Sequence, residues 1–398
     1  MKQYLAAVGL SACLLFSCKD GGNTQGSAVQ QEAQKFIDGY TEQYVKLYTN
    51  SSEAQWKSNT EIVEGDSTNT LNAQKADEAM AAFTGSKENI EQARKYMDQK
   101  EQLTEIQVKQ LELILYAAAN NPQTVADLVK QRIQAENAQT RQLYGYQYTL
   151  DGKKVSTNQL DDILKKETNV NKRLMAWEAS KEIGKSLKGG LVNLRNYRNQ
   201  TVQALGYHDY FTYQVSDYGM KADEMMQTMD KLMNELYPLY RELHTWMRYE
   251  LAARYAVSAV PDYLPAHWLP NRWGQDWSSV VEVKGINLDS VLATKNAEWI
   301  TKEGEKLYTS IGFPALPKTF WEKSSLYPYR ADSNVKKNNH ASAWHMDLNK
   351  DVRSLMSVEP NSEWWETANH ELGHIYYYIT YTNKDVPPLL RGGANRAY

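Results

Sequence analysis

The chain has little cysteine and little histidine, and no apolar run beyond its first residues is long enough to cross a membrane. Its two cysteines, Cys13 and Cys18, both lie near the N terminus of 398 residues. A disulfide framework is therefore excluded for the rest of the chain, whose core must carry the stability, and the length is ample for that. No later apolar stretch reaches the roughly 20 residues of a transmembrane helix. Neither sign of charge dominates. The net charge is −3 with signs mixed along the chain, which leaves no nucleic-acid footprint. Tyrosine, by contrast, is abundant at 27, which predicts many buried hydroxyls or a polar-lined cavity.

The first residues read as a targeting segment. Lys2 gives a positive start, and Leu5 to Phe16 is apolar but only about a dozen residues long, short for a bilayer span. Leu15-Phe16-Ser17-Cys18 resembles the lipobox of bacterial lipoproteins, although Phe16 is unusual in that pattern. A plain secretory signal cleaved nearby is the alternative. Processing before Cys18 would remove Cys13 and leave Cys18 to be acylated. The expected organisation is a signal peptide over 1–17, a lipidated Cys18 with a flexible tether over 18–30, and a helical domain over 31–398. The tether is rich in Gly, Asn, Ser and Gln. This places the protein in a bacterial cell envelope, lipid-anchored on the periplasmic side or the outer membrane.

From Gln31 onward the pattern is mostly helical. Phe36/Ile37, Tyr40, Tyr44 and Leu47/Tyr48 recur at 3.6 spacing and predict one amphipathic helix. Val108, Leu111, Leu115 and Ala118 predict another, ended by Asn120-Asn121-Pro122. Met225, Met229, Leu232, Leu236, Leu239, Leu243 and Met247 form a long stripe that reads as core packing rather than a cofactor box, with a kink expected at Pro238. One hairpin interrupts the helices: Tyr146, Tyr148 and Leu150 alternate with polar residues, Asp151-Gly152 makes the turn and Val155 lies on the return strand. Pro and Gly clusters at 261–270 and 314–317 read as loops inside one domain.

Two of the 7 histidines fall in one short motif, His370-Glu371-Leu372-Gly373-His374, inside a helical run from Trp364 to Tyr381. Positions i and i+4 share a helix face, so both imidazoles can reach one Zn²⁺, with Glu371 beside the metal to take a proton from water. The bland alternative is two histidines on an ordinary amphipathic helix with a solvated glutamate. Ile375, Tyr376, Tyr377, Tyr378 and Ile379 argue against it, because they make the helix apolar or aromatic nearly all round and predict burial. Buried histidines need partners. A zinc hydrolase takes three protein ligands and an open position. Downstream of His374 the one acidic residue is Asp385, in an apparent loop before Pro387-Pro388.

Beyond that motif, His370 to Tyr378 and then Leu390-Arg391-Gly392-Gly393-Ala394-Asn395-Arg396-Ala397-Tyr398 resemble the zinc dipeptidyl carboxypeptidases of the angiotensin-converting enzyme family. The family pattern there is H-E-M-G-H-I-x-Y-Y followed by L-R-x-G-A-N-x-x-F-H-E-A. His340-Ala341-Ser342-Ala343-Trp344 matches its H-A-S-A-W. Pro265-Ala266-His267, Asn271, Trp273, Gln275 and Trp277 match P-A-H-x-x-x-N-x-W-x-Q-x-W. Ala176-Trp177-Glu178, Leu239-Tyr240, Leu243-His244, Trp56, Asn59 and Thr60 also fit. Tyr398 falls on the family's Phe, so the resemblance puts the third ligand, a Glu, two residues beyond it and implies that the chain is a fragment.

The resemblance implies a predominantly α fold, a large zincin-like metallopeptidase with two helical halves around a deep cleft, N-terminal helices as a lid, and one small β-hairpin. It implies one Zn²⁺ on His370 and His374 with Glu371 catalytic. Ala341 and Ala343 would offer backbone groups to a substrate strand, His340 would bond a substrate carbonyl, and Gln275 would grip a free C-terminal carboxylate. His267 and His244 would be buried structural residues. Asn339 stands where animal members carry cysteine, and Asn369 where they carry histidine. Chloride is a candidate cofactor, but the family's chloride-binding Arg falls near Lys181, which argues against it. The implied partners are oligopeptides with a free C terminus, and the implied activity is release of C-terminal dipeptides by the parent protein, the chain itself being inactive without its third ligand. A zinc endo-oligopeptidase of another helical family and a non-catalytic peptide-binding lipoprotein are the alternatives.

Overall fold

A computed structural model describes residues 27–392 except 276, 278–279, 282–284, 286 and 331. Cys18 and the signal segment lie outside the described residues. Ser27 opens the first helix, α1 (Ala28–Thr60): its hydroxyl accepts from the Gln30 N–H, and the Gln30 side chain accepts from the Ser27 N–H. This reciprocal cap satisfies two otherwise orphaned donors, so residues 28–30, expected in the tether, are helical instead.

The N-terminal region is built from α1, β1 (Ile62–Val63), α2 (Thr68–Thr84), α3 (Lys87–Met97), α4 (Glu105–Asn120) and α5 (Ala126–Gly145). Ala33, Ile37 and Tyr40 of α1 pack with Leu111 and Ile114 of α4 and with Ala93 and Tyr96 of α3. Both sequence stripes thus face one core. The hairpin follows as β2 (Tyr148–Leu150) and β3 (Lys153–Val155), with Tyr148 opposite Val155. Asp151 and Gly152 take φ of 51° and 72°, the left-handed pair that a tight two-residue turn requires.

The middle of the chain supplies α6 (Thr157–Lys166), α7 (Val170–Lys181), α8 (Ile183–Gln203), α9 (Tyr210–Ser216) and α10 (Ala222–Arg254). Here one expectation fails. The Met/Leu stripe of α10 is not core: Met229, Leu232, Leu236, Leu239 and Leu243 are all exposed, Leu239 at 60%. Burial begins only at Met247, Leu251 and Ala252, which pack on Trp268, Leu269 and Val280. Periodicity identifies an apolar face but does not supply the element that covers it. The helix runs through Pro238, whose missing N–H and ring crowding against the carbonyl four residues earlier weaken the ladder at that turn.

The C-terminal region contains α11 (Leu288–Leu292), α12 (Ala297–Ser310), α13 (Lys318–Lys323), β4 (Val335–Lys336), β5 (Ser342–His345), β6 (Val352–Leu355) and α14 (Ser362–Tyr381). The hairpin is therefore not the sole β structure: β1 pairs β4 and β5 pairs β6, both antiparallel. These strands have two to four residues, too few for alternation to show in a sequence. The fold is otherwise predominantly α, as the resemblance implies.

Two close approaches fix α14. A Cβ built on Gly304 of α12 would come within 2.6 Å of Leu372 Cδ1 and 3.0 Å of Asn369 Oδ1, so only glycine lets the helices approach this closely. One turn on, the Tyr308 hydroxyl donates to the Asn369 carbonyl at 3.0 Å and its ring stacks on Tyr376 at 4.5 Å. On the other side Leu372, Ile375 and Tyr376 pack with Phe320 of α13 and Val352 of β6. The β5–β6 hairpin is in turn tied to α1. The buried Arg353 guanidinium donates to Glu53 and Asp351 and covers the Trp56 ring at 5.4 Å.

Candidate metal and peptide site

α14 spans Ser362–Tyr381, two residues longer at its start than the run read from sequence, because Asn361 caps it by accepting from the Trp364 N–H. Thr367, His370, Glu371, His374 and Tyr378 line a cavity of about 990 Å³ together with His340, Ala341 and Ala343. These recur every three or four residues, one face of the helix. The opposite face holds the buried Ala368, Leu372 and Ile375. Burial is not complete all round: Tyr377 and His370 are exposed and His374 is half-buried, so the motif's imidazoles open on the cavity rather than being buried as the sequence predicts.

The two imidazoles converge, His374 Nε2 lying 3.1 Å from His370 Nε2. Zinc–nitrogen bonds of roughly 2.0–2.1 Å at tetrahedral angles separate two nitrogens by about 3.3 Å, so the pair fits one such ion. Burial, and then the neighbouring His370, holds His374 below the usual imidazole range. That favours the neutral form, which is the ligand form. Among the described residues no group of three or more His, Cys, Asp or Glu could hold a metal. Asp385 is exposed on its loop and absent from the cavity wall, its own N–H donating to Asn383.

Glu371 is 6% exposed. Burial pushes its carboxyl above the usual range, opposed by His370 and by a hydrogen bond from the Ala343 N–H. A carboxylate raised this way is a better proton acceptor. Ala343 is engaged on both sides, since its carbonyl accepts from the Tyr378 hydroxyl at 3.4 Å. It belongs to β5, whose other edge pairs β6 with Ala343 opposite Ser354. The free edge of β5 therefore already meets Glu371 and Tyr378, and Ala341 continues it along the cavity wall. His340 is exposed on that wall, its N–H donating to Asn338 Oδ1 at 2.8 Å.

Gln275 is exposed and lies outside the cavity wall, whereas its neighbours Arg272 and Trp273 line it. The structure thus does not bring Gln275 to the zinc motif. His267 and His244 are half-buried rather than buried. Burial lowers His267, and His244 lies 5.8 Å from the Tyr240 ring. Lys181 Nζ donates to the Arg272 carbonyl at 2.7 Å.

Several lining residues escaped the sequence reading. Arg272 forms a two-point ion pair with Asp161, at 2.6 and 3.1 Å. Lys337 is buried, and its ammonium donates to Ser325, Tyr327 and Met356 oxygens; burial pushes it down to about 7. Tyr378 stacks on the buried His345 at 5.4 Å and 10°. Lys336-Lys337 is a pair of adjacent lysines in the sequence, and nothing in its spacing points inward.

The family model for Peptidase M2, angiotensin-converting enzyme, matches residues 27–398. The chain belongs to the angiotensin-converting enzyme family. Among curated relatives, the angiotensin-converting enzyme of the leech Theromyzon tessulatum is 26% identical over 396 residues, 93% of this chain and 61% of the leech protein. The rat enzyme is 30% identical over 251 residues, 60% of this chain and 19% of its own length. The mouse enzyme is 31% identical over 237 residues, 56% and 18% respectively. The chain therefore spans about three-fifths of the leech relative and under a fifth of the rodent ones. The family is one of zinc-dependent metallopeptidases, and the paired imidazoles on α14 suit that chemistry.

Proposed function

We propose that the protein is a zinc peptidyl-dipeptidase acting on oligopeptides with a free C terminus. The observation that carries this is the meeting of the 3.1 Å imidazole pair, buried Glu371 and the edge of β5 that faces away from β6 in one cavity. His370 and His374 would hold the metal, and a third ligand would come from outside the described residues. Zinc, when bound, polarises a carbonyl and lowers the pKa of water. Glu371 accepts a proton from the attacking water at its carboxylate and delivers it to the leaving amine. The hydrogen bond from the Ala343 N–H aims that carboxylate into the cavity. Ala341 would offer backbone groups to an extended peptide, a grip indifferent to side chains; Ala343, whose N–H and carbonyl are held by Glu371 and Tyr378, would join it only by exchanging those bonds. His340, on the cavity wall, would bond a peptide carbonyl. Gln275, exposed beside Trp273, retains a part in carboxylate binding only by moving toward the wall. Chloride finds no support in Lys181, whose amine is engaged by a carbonyl.

A polypeptide limited to the described residues would hold zinc through two imidazoles, bind it weakly and cleave nothing. The anchor at Cys18 and a place in the cell envelope are part of the same proposal. Among the described residues no helix is long and apolar enough to cross a membrane. The deciding experiment supplies the whole gene product with peptides bearing a free or an amidated C terminus. Release of dipeptides from the free peptides alone supports the reading. Equal internal cleavage of both favours an endo-oligopeptidase, and binding without cleavage a non-catalytic binder. Mass spectrometry of the mature N terminus tests for lipid on Cys18.

A further inference from the structure

The cavity wall carries both signs of charge, and the pairing of those charges is uneven. Among the described residues, the lining cations have partners within the chain. Lys165 pairs with Glu363, Lys166 with Asp162 at 3.0 Å, and Arg272 with Asp161 at 2.6 Å. Lys337 is satisfied by backbone and hydroxyl oxygens. Two lining carboxylates stand outside these pairs. One is Glu371, held by Ala343. The other is Glu359, half-buried, whose side chain receives a hydrogen bond from Asn158 Nδ2 at 3.5 Å, the outer limit of such a bond. With no cation paired to it among the described residues, this half-buried carboxylate leaves a local excess of negative charge.

Glu359 stands two residues before Asn361, the cap of α14, and Trp364 in the first turn lines the same cavity. A carboxylate and an indole on one cavity wall suit an ammonium or guanidinium group, which can pair with the charge and meet the ring. Trp273, by comparison, already carries the Arg272 guanidinium at 4.5 Å. The distance along the wall also sets a position. Six residues of helix separate Trp364 from His370, about 9 Å at 1.5 Å per residue. An extended peptide covers that in about three residues.

We propose that Glu359 and Trp364 form a subsite for a cationic side chain, Lys or Arg, of a peptide bound along this cavity, about three residues from the His370 end. This rests on the peptide-binding reading above and names its preferred substrate class: basic rather than acidic peptides. The preference is one of charge, so it weakens as salt rises.

The test is competition against a fluorescein-labelled tetrapeptide on the whole protein carrying Glu371→Gln, so that peptides bind without being turned over. An alanine tetrapeptide series carries Lys, norleucine or Glu at each position in turn. The expected result is that Lys binds about fivefold more tightly than norleucine at one position, and Glu more weakly, at the upper range of exposed ion pairs. In Glu359→Gln the Lys-to-norleucine ratio at that position falls to about one. In Glu359→Lys the order of Lys and Glu reverses. Each ratio is read within one variant, so a general loss of fold is visible as loss of the norleucine peptide too. A Lys preference that persists in Glu359→Gln, or no preference at any position while norleucine peptides bind, overturns the subsite alone. Failure of the protein with Glu359 unchanged to bind any peptide overturns the peptide reading and the subsite with it.

Discussion

The Ala343 N–H on β5 donates to the Glu371 carboxylate on α14, joining the strand that would carry a peptide to the group that would move its proton. The Tyr378 hydroxyl closes the same loop from the next turn, donating to the Ala343 carbonyl. Strand and helix are thus held in one register, and disturbance of either element moves both.

Gly304→Ala should destabilise the protein by about 1–3 kcal/mol, the cost of overpacking a close helix contact. The new Cβ would press on Leu372 and Asn369, the residues that flank His370 and Glu371. Urea unfolding measures the cost, and a loss of zinc affinity in the same variant shows that α14 has shifted. A variant as stable as the parent would mean that α12 can move away freely.

Arg353 and Glu53 should respond unequally. The Arg353 side chain is 4% exposed, whereas that of Glu53 is 42% exposed. Arg353→Ala removes a buried cation, its packing on Trp56 and the partner of Asp351, and should cost about 3 kcal/mol. Glu53→Gln leaves Asp351 in place and should cost about 1 kcal/mol or less. Equal losses in chemical denaturation would show that Glu53, not Asp351, neutralises the arginine.

His345 predicts a pH dependence. Its Nε2 lies 3.1 Å from the Asn349 carbonyl, which can only accept, so Nε2 carries the proton and Nδ1 accepts from the Tyr381 hydroxyl. Burial holds this imidazole below its ordinary value of 6.5. The folded state then binds fewer protons than the unfolded one. Its contribution is fully present above about pH 6.5 and is lost as pH falls through the lower folded value. The stability of the parent should therefore drop on acidification, and His345→Gln should drop less between pH 7.5 and pH 5. Parallel slopes for the two proteins would remove His345 as a source.

Legibility in the sequence followed distance along the chain. His370 and His374 were readable because one helical turn brings i and i+4 together, and the Asp151-Gly152 turn because its two residues carry their own backbone preference. Asp161 and Arg272 stand 111 residues apart, and no spacing rule connects them. β5 and β6 are too short to alternate visibly. The α10 stripe shows the other limit. Its period marks an apolar face but not what lies against it, so the sequence predicts Leu239 inside and the structure has it exposed. Gln275 was carried by resemblance, and its neighbour Arg272 is the residue that reaches the wall.

The central claim is that Glu371 moves the proton while the two imidazoles hold the metal, and Glu371→Gln tests it most directly. Glutamine keeps the shape and can still accept from the Ala343 N–H, but it cannot take a proton from water. The measurement is zinc content beside dipeptide release on the whole gene product. The account predicts one zinc per chain retained with turnover reduced by about 10²–10⁴-fold. Near-normal turnover in a zinc-loaded Glu371→Gln protein would contradict it.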